Sequence, residues 1–309
     1  MIKRTLYFGN PNYLSTKDEQ LLITARQGKT LEDEVKTVPI EDIGVMILDH
    51  PQITVTQALT AKLLENNVAL ITCNNTHHPV GLFLPLDGSS VQGERFRAQL
   101  DTSEPLRKQL WAQTVSAKIT NQAALLEELG IEATNMMKWS RDVTSGDPKN
   151  LEARAAAYYW ANLFTPIIGE GFKRDRFGLP PNNLLNYGYA ILRAIVARAL
   201  VGSGMLPTFG IHHKNKYNAY CLADDIMEPY RPSIDRLVVR MIANVPDYAE
   251  LSPTLKREML TIPVFDTWID GDMRPLMVAV SHTTASLASC FLGEKRKILY
   301  PLMHPTTES

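Results

Sequence analysis

The chain changes its hydrophobic periodicity once, near residue 88, and this change constrains the fold more than any other feature. Before it, short apolar runs stand between turn-forming residues, which is the pattern of β-strands. One amphipathic helix, from Thr56 to Asn66, interrupts them and is stopped by Asn66-Asn67. The predicted strands are Thr5–Phe8, Leu21–Ala25, Val35–Ile40, Gly44–Leu48, Ile53–Thr56 and Val68–Thr72.

After a Gly- and Ser-containing linker, Pro85 to Gly93, apolar residues recur at helical spacing. The sequence therefore predicts an α+β protein. A small β-rich domain, residues 1–88, precedes a larger all-helical domain, residues 89–309. The predicted helices cover 95–130, a segment from 151 onward, 184–200, 234–243 and 276–291.

Composition narrows the environment in which this chain works. The formal net charge of the 309 residues is -1, so nucleic-acid binding requires a local basic face. The three cysteines are far apart and form neither a disulfide framework nor a zinc pattern, which fits a reducing cytosol. The first ten residues lack an apolar signal core, and Arg193 and Arg198 interrupt the apolar stretch 190–206. We therefore expect a cytoplasmic protein without a membrane span.

One segment, Gly210 to Pro232, concentrates groups that can hold a cation beside a phosphate. It contains two adjacent histidines, three carboxylates and three basic residues: His212, His213, Lys214, Lys216, Asp224, Asp225, Glu228 and Arg231. Such a mixture suits a divalent metal that meets a phosphate. A solvated acidic turn that pairs with Arg231 explains the same composition, and spacing alone does not decide between the two.

The spacing inside this segment predicts which carboxylates lie together. Asp225 and Glu228 are three residues apart and share a helix face, and Pro229 ends or kinks that helix just after Glu228. His213 is too far from Glu228 for a compact local metal motif, so the fold must bring the two together. At most one residue of the His212-His213 pair is expected to face a given metal, because successive side chains in extended chain point in opposite directions.

Two further regions offer candidates with equally plain alternatives. Glu152 begins a helix that Asn150 can cap, and a glutamate there also simply favours the helix dipole. Between residues 170 and 200 five basic residues oppose two acidic ones, an excess that can neutralise phosphates or form a solvated face.

Three ordered motifs in this chain resemble the CRISPR-associated integrase of spacer acquisition, the Cas-one family, and most closely its type II branch. The motifs are LEARAAAYYW around Glu152, RFGLPPNNLLNYGYAILRA from Arg176 to Ala194, and GIHHKNKYNAYCLADDIMEPYRP. The resemblance covers nearly the whole chain, including the order of a β-rich and then a helical domain.

The resemblance implies a metal-dependent DNA integrase whose ligands are a glutamate, a histidine and an acidic residue. These carry over to Glu152, His213 and Glu228 as catalytic and metal-binding residues. Two carboxylates and an imidazole suit Mg²⁺ or Mn²⁺. Asp225 is then expected to support the metal ligands, and His212 to pack nearby or touch DNA. The candidates for positioning DNA phosphates are Lys214, Lys216, Arg231 and Tyr187.

The family further implies the reaction and the partners. A 3′-hydroxyl of short captured double-stranded DNA attacks the repeat of a CRISPR array, and with water instead the same site acts as an endonuclease. A homodimer formed through the β-rich domain, a Cas-two dimer and the type II RNA-guided effector nuclease are the expected protein partners. A metal-dependent nuclease outside adaptation and a non-catalytic DNA-binding scaffold remain the alternatives.

Overall fold

The computed structural model of the protein describes residues 3–25, 35–75, 77, 79–86, 89–245 and 247–303. The chain divides into two compact units, residues 1–90 and 91–309. The strands are β1 Arg4–Phe8, β2 Asn12–Lys17, β3 Gln20–Ala25, β4 Lys36–Pro39, β5 Ile43–Leu48, β6 Thr54–Val55, β7 Ala69–Cys73, β8 Pro79–Phe83, β9 Asp266–Ile269 and β10 Asp272–Pro275. The helices are α1 Gln57–Glu65, α2 Gln92–Leu100, α3 Glu104–Glu128, α4 Thr134–Asp142, α5 Leu151–Asn162, α6 Thr165–Ile168, α7 Asn182–Gly202, α8 Cys221–Met227, α9 Arg231–Asn244, α10 Pro253–Met259 and α11 Leu276–Phe291.

The first unit contains two four-stranded sheets and the helix α1. One sheet has the order β1-β5-β7-β8, in which only the β7–β8 pair is antiparallel. The other has the order β4-β3-β2-β6, in which only the β2–β6 pair is parallel. Leu14, Met46, Leu59 and Leu63 lie in the buried core of this unit, and the Thr56 hydroxyl caps α1 by accepting a hydrogen bond from the Leu59 N–H.

All six predicted strands of the first unit are confirmed, and two further strands were not predicted. The turn between β2 and β3, Asp18-Glu19, has positive φ angles of 51° and 58°, although neither residue is glycine. It therefore lacks the usual sequence signal of a tight hairpin. β8 begins with Pro79, which is tolerated because β8 is an edge strand. The turn-forming residues Gln27-Gly28-Lys29, which follow the predicted strand Leu21–Ala25 in the sequence, lie outside the described residues.

The second unit is built around α7, which packs against α8, α9 and α11. α7 is the one helix in the described part of the chain that is long and apolar enough to cross a membrane, but 83% of its most apolar window is buried inside the protein. It is therefore the core helix of this unit. α9 and α11 appear where the hydrophobic spacing predicts them.

The second unit is not all-helical, so that prediction is wrong. β9 and β10 form an antiparallel hairpin whose turn residues, Asp270 and Gly271, have φ angles of 54° and 78°. Asp-Gly is a strong hairpin signal, and these φ angles are those of a two-residue turn. The hairpin could therefore have been read from the sequence.

The predicted helix over residues 95–130 is two helices. α2 begins at Gln92, so the end of the expected linker is helical, and it stops at Leu100. α3 begins after Ser103, whose hydroxyl accepts a hydrogen bond from the Leu106 N–H. Pro105 follows in the first turn of α3, where a missing N–H does not matter. A serine cap and an early proline thus start a new helix.

Candidate metal and DNA site

Three separate elements bring two carboxylates to one buried lysine. Lys118 lies in the middle of α3, Glu152 in the first turn of α5, and Glu228 directly after α8. The Lys118 ammonium donates a hydrogen bond to Glu152 Oε1 at 2.8 Å and lies 2.7 Å from Glu228 Oε2. The side chains of Lys118 and Glu228 are only 11% and 8% exposed, so this is an interior cluster.

The start of α5, which carries Glu152, is fixed by Asp147. Its carboxylate accepts hydrogen bonds from the backbone N–H groups of Leu151 and Glu152 at 3.0 and 2.9 Å. Asn150 occupies the N-cap position that the sequence predicts, but its side chain does not cap the helix. Asn150 has a φ of 52° and makes no capping hydrogen bond, because Asp147 already reaches the free N–H groups.

The turn that carries Glu228 is tied to α3 by Asn121. α8 ends at Met227, and Glu228, Pro229 and Tyr230 form a 3₁₀ turn before α9. The Asn121 side-chain amide, near Lys118 on α3, donates hydrogen bonds to the Pro229 carbonyl at 2.8 Å and to the Pro301 carbonyl at 3.0 Å. The helix break predicted at Pro229 is confirmed. The hydrogen bond from Asn121 to the Pro229 carbonyl holds this turn against α3, the helix that carries Lys118.

The charges of this cluster stabilise one another. Burial alone raises the pKa of Glu228, but the positive charges of Arg231 and Lys118 outweigh it and hold that pKa at about 2. Burial likewise opposes the charged form of Lys118, yet Glu228 and Glu152 together keep its pKa above the ordinary value. The Glu228 carboxylate and the Lys118 ammonium are therefore ionised at neutral pH.

His213 is oriented by Asp225. The ring Nδ1 of His213 is hydrogen-bonded to Asp225 Oδ1, and the same carboxylate accepts from the backbone N–H groups of His212 and His213. This hydrogen bond raises the pKa of His213 against the opposing effect of partial burial. With Nδ1 held by a carboxylate, Nε2 is the nitrogen left to bind a metal, as in carboxylate–histidine–metal arrangements.

His212 has a different role from its neighbour. Its ring is stacked on the indole of Trp111, with centroids 4.0 Å apart and planes within 3°. Partial burial there lowers the pKa of His212. The stacking fulfils the packing role expected of this residue. Trp111, a buried residue of α3, was not predicted to take part in the site.

The two candidate carboxylates converge, whereas the complete ligand set does not. Within the ranges that the structure describes, no three His, Cys, Asp or Glu side chains are close enough together to hold a metal. Lys118 stands between Glu152 and Glu228, and His213 is turned to Asp225. The two aspartates before Glu228 have different partners. Asp225 holds His213, whereas Asp224 accepts hydrogen bonds from Arg193 and Asn218.

The residues nevertheless fit a divalent cation. Glu228 Oε2 is buried and has no aligned hydrogen bond among the described residues, although Lys118 neutralises it at ion-pair distance. An ammonium between two carboxylates marks a position that favours positive charge. Oxygen and imidazole donors are those that Mg²⁺ and Mn²⁺ accept.

The predicted phosphate-binding residues fall into three groups. Lys214 and Lys216 are exposed on the loop after the histidines, and the Lys216 ammonium lies over the ring of Tyr217. Arg231 pairs with Glu228, its Nε lying 2.9 Å from Glu228 Oε1, so it supports the carboxylate. The prediction that Tyr187 contacts DNA is wrong, because its side chain lies on the core face of α7 and is fully buried.

The basic excess between residues 170 and 200 does not form one surface. Arg198 is buried, and Arg193 is paired with Asp224. Arg174 is held by the side chains of Asn182 and Asn186, with distances of 2.9 and 2.8 Å. Arg174 and Arg193 are therefore held by neighbouring side chains, and Arg198 lies in the interior.

A cavity of about 180 Å³ adjoins Lys118 and Glu228. Its lining includes Lys118, Gln122, Trp160, Arg174, Tyr189, Glu228, Arg231 and Asp235. Asp235 accepts hydrogen bonds from the hydroxyls of Tyr159 and Tyr189, and burial raises the pKa of its carboxyl to about 6. Of these lining residues, Lys118, Arg174 and Arg231 are basic, and Glu228 and Asp235 are acidic.

Comparison with known proteins shows the family to which this chain belongs. The family model described as CRISPR associated protein Cas1 matches residues 6–246. A CRISPR-associated endonuclease Cas1 from Neisseria meningitidis serogroup C (strain 8013) is 38% identical over 301 residues, which cover 97% of this chain and 95% of that protein.

Solved structures share the fold at lower identity. A casposase bound to an integration product has a TM-score of 0.78 at 19% identity, over 96% of this chain and 92% of the casposase. A Cas6-RT-Cas1–Cas2 complex has a TM-score of 0.72 at 20% identity, over 96% of this chain and 36% of the matched one. The family model covers more than half of the chain and the Neisseria protein nearly all of it, so this chain belongs to the Cas1 family of CRISPR-associated proteins.

Proposed function

We propose that this protein is the DNA integrase of CRISPR adaptation, of the type II branch, with an associated DNA endonuclease activity. It joins 3′-hydroxyl ends of short captured double-stranded DNA to the repeat of a CRISPR array. The observation that carries the proposal is the convergence of Glu152 and Glu228 on one cationic position. The charges of both carboxylates also act on His213, which Asp225 orients. Membership of the Cas1 family and the fold likeness to a casposase bound to an integration product support joining over cutting alone.

The reaction is a transesterification at phosphorus. The 3′-oxygen of the captured DNA forms a bond to the repeat phosphate and loses its proton, and the bond from that phosphate to the repeat's own 3′-oxygen breaks. The leaving oxygen takes up a proton. One phosphodiester is made for each one broken, so the step requires no nucleotide cofactor and no nucleophilic side chain.

The residues of this chain prepare the site for that step. Glu152, His213 and Glu228 would hold Mg²⁺ or Mn²⁺, which polarises the scissile phosphate and stabilises the transition-state charge. Asp225 fixes the His213 ring through Nδ1. Arg231 holds the Glu228 carboxylate in place from the opposite side to Lys118. The exposed Lys214 and Lys216 contact phosphates of the DNA backbone.

The proposed partners follow from the family. We place the protein in the cytoplasm as a homodimer formed through the β-rich unit, joined by a Cas2 dimer. The fold likeness to a chain of a Cas6-RT-Cas1–Cas2 complex supports a Cas2 partner. The type II effector nuclease would select the fragments that are captured.

The test is strand joining on a branched DNA that mimics the integration product, in Mn²⁺ and in EDTA. Glu152→Gln, Glu228→Gln and His213→Ala should each abolish joining without loss of DNA binding. Glu104→Gln is the matched control, because Glu104 is an exposed glutamate of α3 that pairs only with Lys108 among its described ion pairs. Cutting without joining would instead favour a nuclease outside adaptation. DNA binding that is indifferent to metal, without any turnover even when Cas2 is supplied, would favour a scaffold.

A further inference from the structure

Lys118 occupies the position that the proposed function assigns to a divalent cation. Its ammonium lies 2.8 Å from Glu152 Oε1 and 2.7 Å from Glu228 Oε2. A metal ion held by both carboxylates would have to lie between them, where the ammonium now lies. The ammonium and the metal therefore compete for one place.

The fold requires a positive charge at this place. Glu228 is 8% exposed, and an unpaired buried carboxylate is strongly destabilising. Arg231 contacts Glu228, but among the described salt bridges Glu152 is paired with Lys118 alone. Without Lys118, the two carboxylates would share the site without a cation between them, and they would repel.

The displaced ammonium has space to enter. Lys118 and Gln122, one helical turn apart on α3, both line the cavity beside the carboxylates. A lysine side chain has four rotatable bonds, so its head can turn from the carboxylates to this cavity without movement of the helix.

The cavity also favours an anion. The guanidinium carbons of Arg174 and Arg231 lie 5.4 and 4.6 Å from the centroid of the Tyr189 ring. Both guanidinium groups line this cavity, so a phosphate that enters it would find donors in both. A third cation that enters the cavity strengthens the attraction for a phosphate.

We propose that Lys118 is the resident counter-ion of the carboxylate pair, that a divalent cation displaces it into the adjoining cavity, and that there, with Arg174 and Arg231, it faces a DNA phosphate. Lys118 is thus a positioning residue with two places, one for the metal-free protein and one for the loaded protein. The inference depends on the proposed function, because it assumes that Glu152 and Glu228 bind the metal.

The first measurement is Mn²⁺ binding by the intact protein, measured by titration calorimetry. Lys118→Met removes the competing charge and should tighten Mn²⁺ binding by about tenfold. Lys108→Met is the matched control, because Lys108 lies on the same helix and makes an exposed pair with Glu104. This control should bind Mn²⁺ as the wild type does. Unchanged or weaker Mn²⁺ binding by Lys118→Met would overturn the proposal.

A second readout covers the case in which Lys118→Met folds poorly. In EDTA the variant should have a lower Tm than the wild type, and Mn²⁺ should raise its Tm by more than it raises that of the wild type. Lys118→Gln, which keeps a polar head without charge, should behave in the same way. If Mn²⁺ raises all three melting temperatures equally, the ammonium does not compete with the metal and the proposal is wrong.

A third readout tests whether the displaced Lys118 ammonium faces a DNA phosphate in the cavity. Lys118→Met should weaken binding of a short DNA duplex by about fivefold in Mn²⁺ and leave it unchanged in EDTA, where the wild-type ammonium is held by the carboxylates. Equal weakening in both conditions would contradict the displacement. If neither wild type nor variant binds Mn²⁺, the proposed function fails as well. If the wild type binds Mn²⁺ and joins DNA while Lys118→Met binds Mn²⁺ no more tightly, only the displacement is wrong.

Discussion

Gly210 shows how one backbone position keeps the histidine loop against α8. A Cβ atom at Gly210 would lie 2.5 Å from the His213 carbonyl oxygen and 2.6 Å from Asp225 Oδ2. Neither contact can be relieved by a flexible chain end, because one atom is backbone and the other belongs to a carboxylate held by three hydrogen bonds. Any side chain here must separate His213 from Asp225.

We therefore expect Gly210→Ala to lower the free energy of unfolding by about 1–3 kcal/mol and to reduce DNA joining sharply. Urea unfolding and the branched-DNA assay measure the two effects. Gly93→Ala is the control, because a Cβ at this helical glycine meets nothing within 4 Å. Full joining activity in Gly210→Ala would show that the His213–Asp225 contact is dispensable.

Asp225 is expected to act on the metal through His213. In Asp225→Asn the amide cannot hold the ring as the carboxylate does, so metal affinity should fall by about 10–100-fold. Asp224→Asn is the matched control, since Asp224 is the adjacent carboxylate and binds Arg193 and Asn218 instead. Mn²⁺ titration of the two variants separates the roles, and equal affinities would contradict the assignment.

At the residue scale, the motifs predict the two carboxylates that converge and a supporting role for Asp225, but not that Asp225 holds His213. They do not predict Lys118, which lies 34 residues from Glu152 with no local pattern that links them. The prediction that Tyr187 contacts DNA is wrong for a different reason. Its motif is plain, but which face of α7 it occupies depends on how α7 is buried.

At the scale of elements, Asp235 links three helices and makes the stability of the protein depend on pH. It lies on α9 and accepts hydrogen bonds from Tyr159 of α5 and Tyr189 of α7. Burial raises the pKa of Asp235 from 3.8 to about 6. The folded protein thus binds this proton more tightly than the unfolded chain, so the stability that the proton provides is lost as pH rises through that range.

Asp235→Asn removes this titration. The free energy of unfolding of the variant, minus that of the wild type, should become more positive by about 2 kcal/mol between about pH 4 and about pH 6. Urea unfolding across this range measures the difference, and groups common to both proteins cancel. Asp142→Asn, at an exposed aspartate of α4, should show no such trend. A flat difference for Asp235→Asn would show that its carboxyl titrates alike in both states.

Element types were more predictable than their ends. The apolar spacing predicts α7, α9 and α11 because these helices bury one side or most of their surface. Breaks set by single caps, such as Ser103 before α3, leave the spacing nearly unchanged and were missed. The β9–β10 hairpin was missed although its Asp-Gly turn is visible, because a short hairpin adds little periodicity to a helical region.

At the scale of the whole molecule, a net charge of -1 means that DNA binding depends on a few local cations. Several cations that could bind DNA already have another role or are inaccessible. Arg193 pairs with Asp224, Arg231 pairs with Glu228, and Arg198 is buried. Lys214 and Lys216 are exposed beside the site, and the structure gives neither a salt bridge among the described residues. The salt dependence of DNA binding should therefore rest heavily on these two lysines.

We expect Lys214→Gln combined with Lys216→Gln to reduce the slope of log K against log salt by about 2, since each phosphate contact contributes about 1. Duplex binding in EDTA from low to moderate salt measures the slope without a contribution from the metal. Lys62→Gln is the control, because Lys62 belongs to the β-rich unit and pairs with Glu19 and Glu65. If DNA phosphates bind at the histidine loop, loss of both ammonium groups must reduce the number of counterions released on binding. An unchanged slope in the double variant would therefore show that the DNA does not pass along this loop.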